Sequence, residues 1–234
     1  MANGSRPAGT GWFITIEGPD GSGKTTQAER LAASLAERGI AVHQTREPGG
    51  TRLGERLRDV LLARTATGAA ATDALTDALL FNAARRQIVR EVIRPALAAG
   101  TTVVCARYAD STLAYQGYGA GVSLDRLRTL ADLATDGLVP DLTVLLDLPV
   151  GTGLARKPPA EVTRFESEFD LGFHQRVRDG FLALAAAEPE RFAVIDATQP
   201  IGAVTAGVVA TLDSRLGRES ERSEPPPPRV RING

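Results

Sequence analysis

Residues Phe13-Ile14-Thr15-Ile16-Glu17-Gly18-Pro19-Asp20-Gly21-Ser22-Gly23-Lys24-Thr25-Thr26 read as an apolar strand, a glycine-rich turn and a helix start in direct succession. They match the pattern G-x-x-x-x-G-K-[ST], whose chemistry depends on that spacing. Gly18, Gly21 and Gly23 let backbone N–H groups turn inward around phosphate oxygens, and a helix beginning near Lys24 adds the positive end of its dipole. Lys24 then reaches the terminal phosphates, while Thr25 carries a hydroxyl where such loops ligate Mg²⁺ and Thr26 extends the helix. Pro19, Asp20 and Ser22 complete the cradle. An amphipathic helix is predicted to follow, with Ala28, Leu31, Ala32, Leu35 and Ala36 on one face.

Lysine usage points the same way. Of 27 basic residues only Lys24 and Lys157 are lysines, the rest being arginine. A lysine kept inside the glycine loop suggests a need there for a compact, flexible point charge in place of a planar guanidinium.

A chain of 234 residues can bury one substantial core, so a single domain is expected. The net charge of −1 offers no bulk attraction to a polynucleotide or an anionic membrane, and neither is expected as a partner. Cys105 is the only cysteine; it excludes an intramolecular disulfide, fits a reducing compartment and reads as a small buried strand residue. With no membrane-length apolar segment and no signal-peptide core, the expectation is a soluble, cytoplasmic protein.

Strands alternate with helices along the chain. Further strands are predicted at Ala41 to Arg46, Thr101 to Cys105, Leu142 to Leu146 and Phe192 to Ile195. Helices are predicted after Thr51, from about Asp73 to Ala99 with Pro95 kinking or ending the regular part, at Leu124 to Thr135, at Glu166 to Ala187 and at Ile201 to about Leu216. Residues 65–73 form a connection rich in Ala and Thr, and residues 156–164 form a charged, proline-containing segment resembling a mobile lid. Residues 1–10 and the Pro-rich stretch 217–234 are expected to be disordered tails around a domain spanning 11–216. Such alternation implies parallel βαβ units, and so a parallel sheet with helices on both faces and a ligand site at the strands' C-terminal ends.

Several residues converge on those ends: the glycine loop after the first strand, Glu47 and Pro48 after the second, Arg107 after the third and Asp147 after the fourth. Arg107 could clamp a second phosphate or make a structural ion pair. Phe81 and Arg85, four apart on a helix, could stack a base and bond its edge, or pack as core and surface. Asp147 reads more readily as structural. Arg156, Lys157 and Arg164 could bring cations onto transferring phosphates, or form a solvated charge run.

From about Trp12 to Ala210 the chain resembles bacterial thymidylate kinases, in the loop segment extended to Gln27, in Thr45-Arg46-Glu47-Pro48-Gly49-Gly50-Thr51, in Ile93-Arg94-Pro95-Ala96-Leu97 and in Ala114-Tyr115-Gln116-Gly117. The resemblance implies a P-loop nucleoside-monophosphate kinase fold with a five-stranded parallel sheet, usually in a homodimer. It also implies transfer of the γ-phosphoryl of ATP, with Mg²⁺, to dTMP. By matching position, Phe81 would stack on thymine, Arg85 with Thr112 or Gln116 would read its edge, and Tyr115 would crowd the ribose 2′ position. Arg107 would hold the acceptor phosphate, Asp20 would approach the acceptor sugar, and Glu47, Pro48 and Ser111 would line the same site. Gly21 stands where some members carry a loop arginine, so the catalytic arginine is expected from the lid: Arg156 foremost, with Arg164 second.

Two carboxylates of the family pattern are missing, since Ala106 and Thr163 each stand where Asp is usual. The first matters because an Asp ending that strand is where enzymes with this loop place a partner for Mg²⁺. These departures leave two alternatives open: a kinase shifted toward a modified pyrimidine deoxynucleotide, or a weakened nucleotide-binding homologue serving as sensor or partner subunit.

Overall fold

The computed structural model of the protein describes residues 10–63 and 72–223. Five strands, β1 (Phe13–Glu17), β2 (Val42–Arg46), β3 (Thr102–Ala106), β4 (Leu142–Asp147) and β5 (Phe192–Asp196), form one sheet in the order β2-β3-β1-β4-β5. Every neighbouring pair is parallel. β1 and β3 are buried at every residue, as continuous apolar runs covered on both faces must be, whereas the edge strands β2 and β5 are partly exposed.

The strands are joined through α1 (Lys24–Glu37), α2 (Arg52–Leu62), α3 (Ala74–Ile88), α4 (Arg94–Ala98), α5 (Ala109–Thr112), α6 (Leu124–Thr135), α7 (Val150–Ala155), α8 (Arg164–Glu168), α9 (Leu171–Ala187) and α10 (Ile201–Ser223). One sheet face packs Ile14, Ile16, Val104 and Val144 against Leu31 and Leu35 of α1 and Val204, Val208 and Leu212 of α10. The other is covered by Phe173, Val177 and Phe181 of α9, and by Ile88, Val89 and Ile93 against Phe13, Val103 and Cys105. Cys105 is thus a core residue, with its thiol raised well above its ordinary pKa by burial. No helix of the described residues is long and apolar enough to cross a membrane.

Local chemistry explains where elements begin and where the periodicity misleads. Thr51 caps α2 by accepting from Gly54 N at 2.9 Å, and Asp73 caps α3 by accepting from Leu75 N and Thr76 N. On α1 the predicted face is buried through Leu35, but Ala36 is exposed. The long stretch ending at Ala99 is divided: α3 passes into a π-turn at Val89–Ile93, and Pro95 falls in the first turn of α4, where its missing N–H costs little. A second π-turn, Leu113–Gly119, follows α5. The helix expected from Glu166 is two, because Asp170 accepts from Phe173 N at 2.7 Å and starts α9 afresh. α7, with two glycines in six residues, has no helical signal in the sequence. α10 runs past Leu216 to Ser223. The connection at 65–73 is described only from Thr72, and the expected terminal tails lie outside the described residues except for Thr10 and 217–223.

Candidate active site

The glycine loop leaves β1 with Gly18, Gly21 and Gly23 at φ of 143°, 72° and 88°. A Cβ on Gly21 would stand 1.8 Å from Gly153 O, so α7 packs directly on the loop's backbone. Gly23 opens onto free space, with nothing within 4 Å of where its Cβ would be. Lys24 folds back, donating to Pro19 O at 2.6 Å and Ser22 Oγ at 3.2 Å. Burial, and then the neighbouring Arg107, lower its amine to about 7 from the usual 10.5. Thr25 and Thr26 are exposed beside this opening at the start of α1. The result is a concave run of backbone N–H groups at a helix start, next to a destabilised cation, which favours phosphate.

Beside the loop lies a cleft of about 640 Å³ including its open mouth. All ten residues expected around an acceptor line it: Asp20, Glu47, Pro48, Phe81, Arg85, Arg107, Ser111, Thr112, Tyr115 and Gln116. They come from four separate stretches of chain, and the parallel topology brings them together. Phe81 on α3 faces Phe165 on α8 with ring centroids 6.1 Å apart. Arg85, one α3 turn further on, is 2% exposed and donates to Glu47 Oε2 at 2.8 Å, Asn82 Oδ1 at 2.9 Å, Tyr108 O at 3.0 Å and Thr112 Oγ1 at 3.1 Å. Those four bonds leave one of the five guanidinium hydrogens, on Nη1, with no acceptor among the described residues. Burial, against the pull of Arg85, raises Glu47 to about 7, and its buried Oε1 has no hydrogen-bond partner among the described residues. Gln116, almost fully buried, also lines the cleft.

Arg107 is the hub. It follows β3 with a φ of 70°, a left-handed conformation that costs a bulky residue about 1–2 kcal/mol. Its guanidinium donates to Asp20 Oδ1 at 2.6 Å, Tyr115 Oη at 3.2 Å and Ser111 Oγ at 3.1 Å, and lies 5.0 Å from the centre of the Tyr115 ring. Tyr115 in turn donates to Asp20 Oδ2 at 2.7 Å. Burial opposes ionisation of Asp20, but the Arg107 and Lys24 charges and the Tyr115 hydroxyl outweigh it and hold the carboxyl below its usual range.

The lid arginines behave differently from one another, and neither lines the cleft. Arg164 is almost fully buried; it donates to Leu61 O at 2.6 Å and Thr72 Oγ1 at 3.0 Å and pairs with Asp77 at 2.6 Å. These contacts fasten α8 onto α2 and α3. Arg156, at the end of α7, is exposed, and among the described residues its side chain donates only to Ala197 O, at 2.9 Å. The cation brought into the cleft is Lys157, paired with Glu166. Thr163 caps α8 in a reciprocal box with Glu166, a task that Asp performs as well, so this departure keeps the local structure. Asp147 is structural, gripped by Arg178 at 2.8 and 2.9 Å. Ala106 ends β3 within the cluster that packs on α1.

Two participants had no signal of their own. Arg58 lines the cleft and donates to Pro48 O at 3.0 Å, but only the fold distinguishes it from Arg52 and Arg56 on the same helix. Glu17 is buried at the end of β1 beneath Tyr108 and Ser111, where a sequence shows merely the last residue of a strand. Among the described residues no group of three or more His, Cys, Asp or Glu could hold a metal.

Residues 16–208 match the family model described as thymidylate kinase. The chain is 52% identical over 205 residues to the thymidylate kinase of Deinococcus radiodurans, covering 88% of this chain and 98% of that one. It is 51% identical to that of Thermomicrobium roseum, covering 88% and 97%. The crystal structure of thymidylate kinase from Ehrlichia chaffeensis superposes with a TM-score of 0.69 at 37% identity, over 87% of this chain and 99% of that one. This chain belongs to the thymidylate kinase family.

Proposed function

We infer that the protein phosphorylates dTMP to dTDP at the expense of ATP. The observation that carries this reading is the junction of the two half-sites, in which Asp20 of the glycine loop is bonded to both Arg107 and Tyr115 of the adjoining cleft. A nucleotide whose terminal phosphates lie in the loop and a monophosphate in the cleft would meet at that carboxylate. Phosphoryl transfer asks for positioning and charge rather than covalent chemistry.

In this reading Gly18 to Thr26 hold ATP, and Lys24 regains its charge against the transferring phosphoryl group. The loop's open side and the exposed Thr25 hydroxyl suit Mg²⁺ arriving on the nucleotide, where it would neutralise phosphate charge. In the cleft Phe81 stacks the thymine, the spare Arg85 hydrogen and Gln116 read its edge, Tyr115 abuts the ribose and Arg107 takes the phosphate. Arg156 has one carbonyl bond to relinquish, and is the arginine we assign to the transfer itself. The kinase domain is taken as residues 11–216, and a cytoplasmic setting accords with the lone buried thiol. Leu53 and Val60 on α2, Leu79 on α3 and Leu133 on α6 are exposed, and α3 packs on both α2 and α6, so these exposed apolar side chains support a homodimer.

Phe81→Ala tests the assignment of the cleft. It should raise KM for dTMP by about tenfold or more through lost stacking and buried area, with KM for ATP nearly unchanged. A rise in KM for ATP alone would move the acceptor elsewhere.

A further inference from the structure

Alternation along β1 sends Ile14 and Ile16 toward α1 and Glu17 to the opposite side of the sheet, where it is fully buried. Its bonds there are to neutral donors. Oε1 accepts from Tyr108 N at 2.7 Å and Ser111 N at 3.2 Å, and Oε2 accepts from Ser111 Oγ at 2.6 Å. A serine hydroxyl has one proton, so committing it to Glu17 leaves the lone pairs of Ser111 facing Arg107 Nη1 at 3.1 Å.

The backbone is fastened at the same place. Arg107 N donates to Ile16 O at 2.9 Å and Tyr108 N to Glu17, so two successive amides are tied to the last residues of β1. Between them lies the left-handed φ of Arg107, which persists only where the surroundings fix it. α5 is secured from its other side by Asp110, which Arg191 grips at 2.7 and 2.9 Å.

We propose that Glu17 is a positioning residue whose carboxylate, acting through Ser111 and the amide of Tyr108, sets the direction in which Arg107 presents its guanidinium to the acceptor's phosphate. The proposal rests on Arg107 being the ligand of that phosphate. It concerns the phosphate and not the base, and this makes it separable from general damage to the cleft.

Equilibrium titrations with dTMP and with thymidine, which lacks the phosphate, provide the test. Glu17→Gln places an amide N–H opposite Ser111 Oγ, turning an acceptor into a donor and freeing the serine proton toward Arg107. The dissociation constant for dTMP should rise by about tenfold or more, while that for thymidine stays within about twofold. Equal losses for both ligands, or no loss for either, would overturn the proposal. Arg107→Ala is the control: it should weaken dTMP alone, and if it leaves dTMP binding intact the assignment of Arg107 fails, and the proposal with it. If Arg107→Ala shows that split and Glu17→Gln does not, the positioning role alone is lost. Should Glu17→Gln not fold, Ser111→Ala breaks the relay with the carboxylate in place. It should give the same split, and unchanged affinity for dTMP would overturn the proposal.

Discussion

The hydroxyl of Tyr115 donates to Asp20 Oδ2 at 2.7 Å, and this bond ties the acceptor cleft to the glycine loop. Edge-on contacts with Phe165, Phe173 and Phe181, at centroid distances of 5.9 to 6.2 Å, hold the Tyr115 ring. A ring so fixed cannot retreat from an added hydroxyl. The protein should therefore use dUMP, which differs from UMP only at the 2′ position, with kcat/KM higher by about tenfold or more. Tyr115→Phe should keep this ratio, since the ring stays, but lower kcat/KM for both. Equal use of dUMP and UMP by the parent would remove Tyr115 from that role.

Buried charge near the loop makes stability depend on pH. Burial raises Glu17, with help from Asp110, and Glu47 from 4.5 to about 7, so the native state binds more protons than the unfolded chain between those values and stability falls as pH rises through them. Lys24, lowered from 10.5 to about 7, binds fewer protons in the native state, so its contribution makes stability rise between 7 and 10.5. The unliganded protein should be least stable near neutral pH, which melts between about pH 5 and pH 9 would reveal. Lys24→Met should raise the unliganded melting midpoint at pH 7 and lower kcat by at least about tenfold, equivalent to about 1.4 kcal/mol of barrier. A lower midpoint with activity retained would contradict both halves.

Arg156 and Arg164, equivalent as letters in a lid, should separate by experiment. Arg164→Ala leaves Asp77 buried and unpaired and should cost about 3–5 kcal/mol in urea unfolding. Arg156→Ala should change stability by less than about 0.5 kcal/mol and act on kcat instead. A kcat loss without destabilisation in Arg164→Ala, with Arg156→Ala silent, would reverse the assignments.

Ala106 faces the α1 side of the sheet, whereas Glu17 faces away, so that carboxylate cannot stand in for the missing Asp. Ala106→Asp should lower the Mg²⁺ concentration for half-maximal rate and raise kcat. Titrating Mg²⁺ against rate for parent and variant decides the matter: identical curves would mean the departure has no bearing on metal use.

The strand positions, with Glu47, Pro48 and Arg107 near their ends, were legible from local facts, namely apolar runs of strand length and chemistry-bearing residues just beyond them, whereas Ser111, Thr112, Tyr115 and Gln116 entered only through the family resemblance. Asp147 and Arg107 both follow such runs, yet only the folded chain shows Arg178 occupying the first and leaving the second to the loop. The anchoring of Arg164 was hidden for a similar reason, since its neighbours in sequence are lid residues and its partners, Leu61, Thr72 and Asp77, are far away along the chain. The π-turns at Val89–Ile93 and Leu113–Gly119 depend on backbone hydrogen bonding for which side-chain periodicity leaves no mark. Glu17 was hidden because alternation says which face a strand residue takes, and nothing about what is waiting there.

The central claim is that the cleft beside the glycine loop accepts a thymine deoxynucleotide for phosphorylation. ADP release measured with ATP, Mg²⁺ and a panel of nucleoside monophosphates tests it most directly. The account predicts turnover with dTMP at a kcat/KM above that for dUMP, UMP, dCMP and the purine monophosphates. Binding of dTMP without ADP release, or a purine or cytosine nucleotide as the best acceptor, would contradict it.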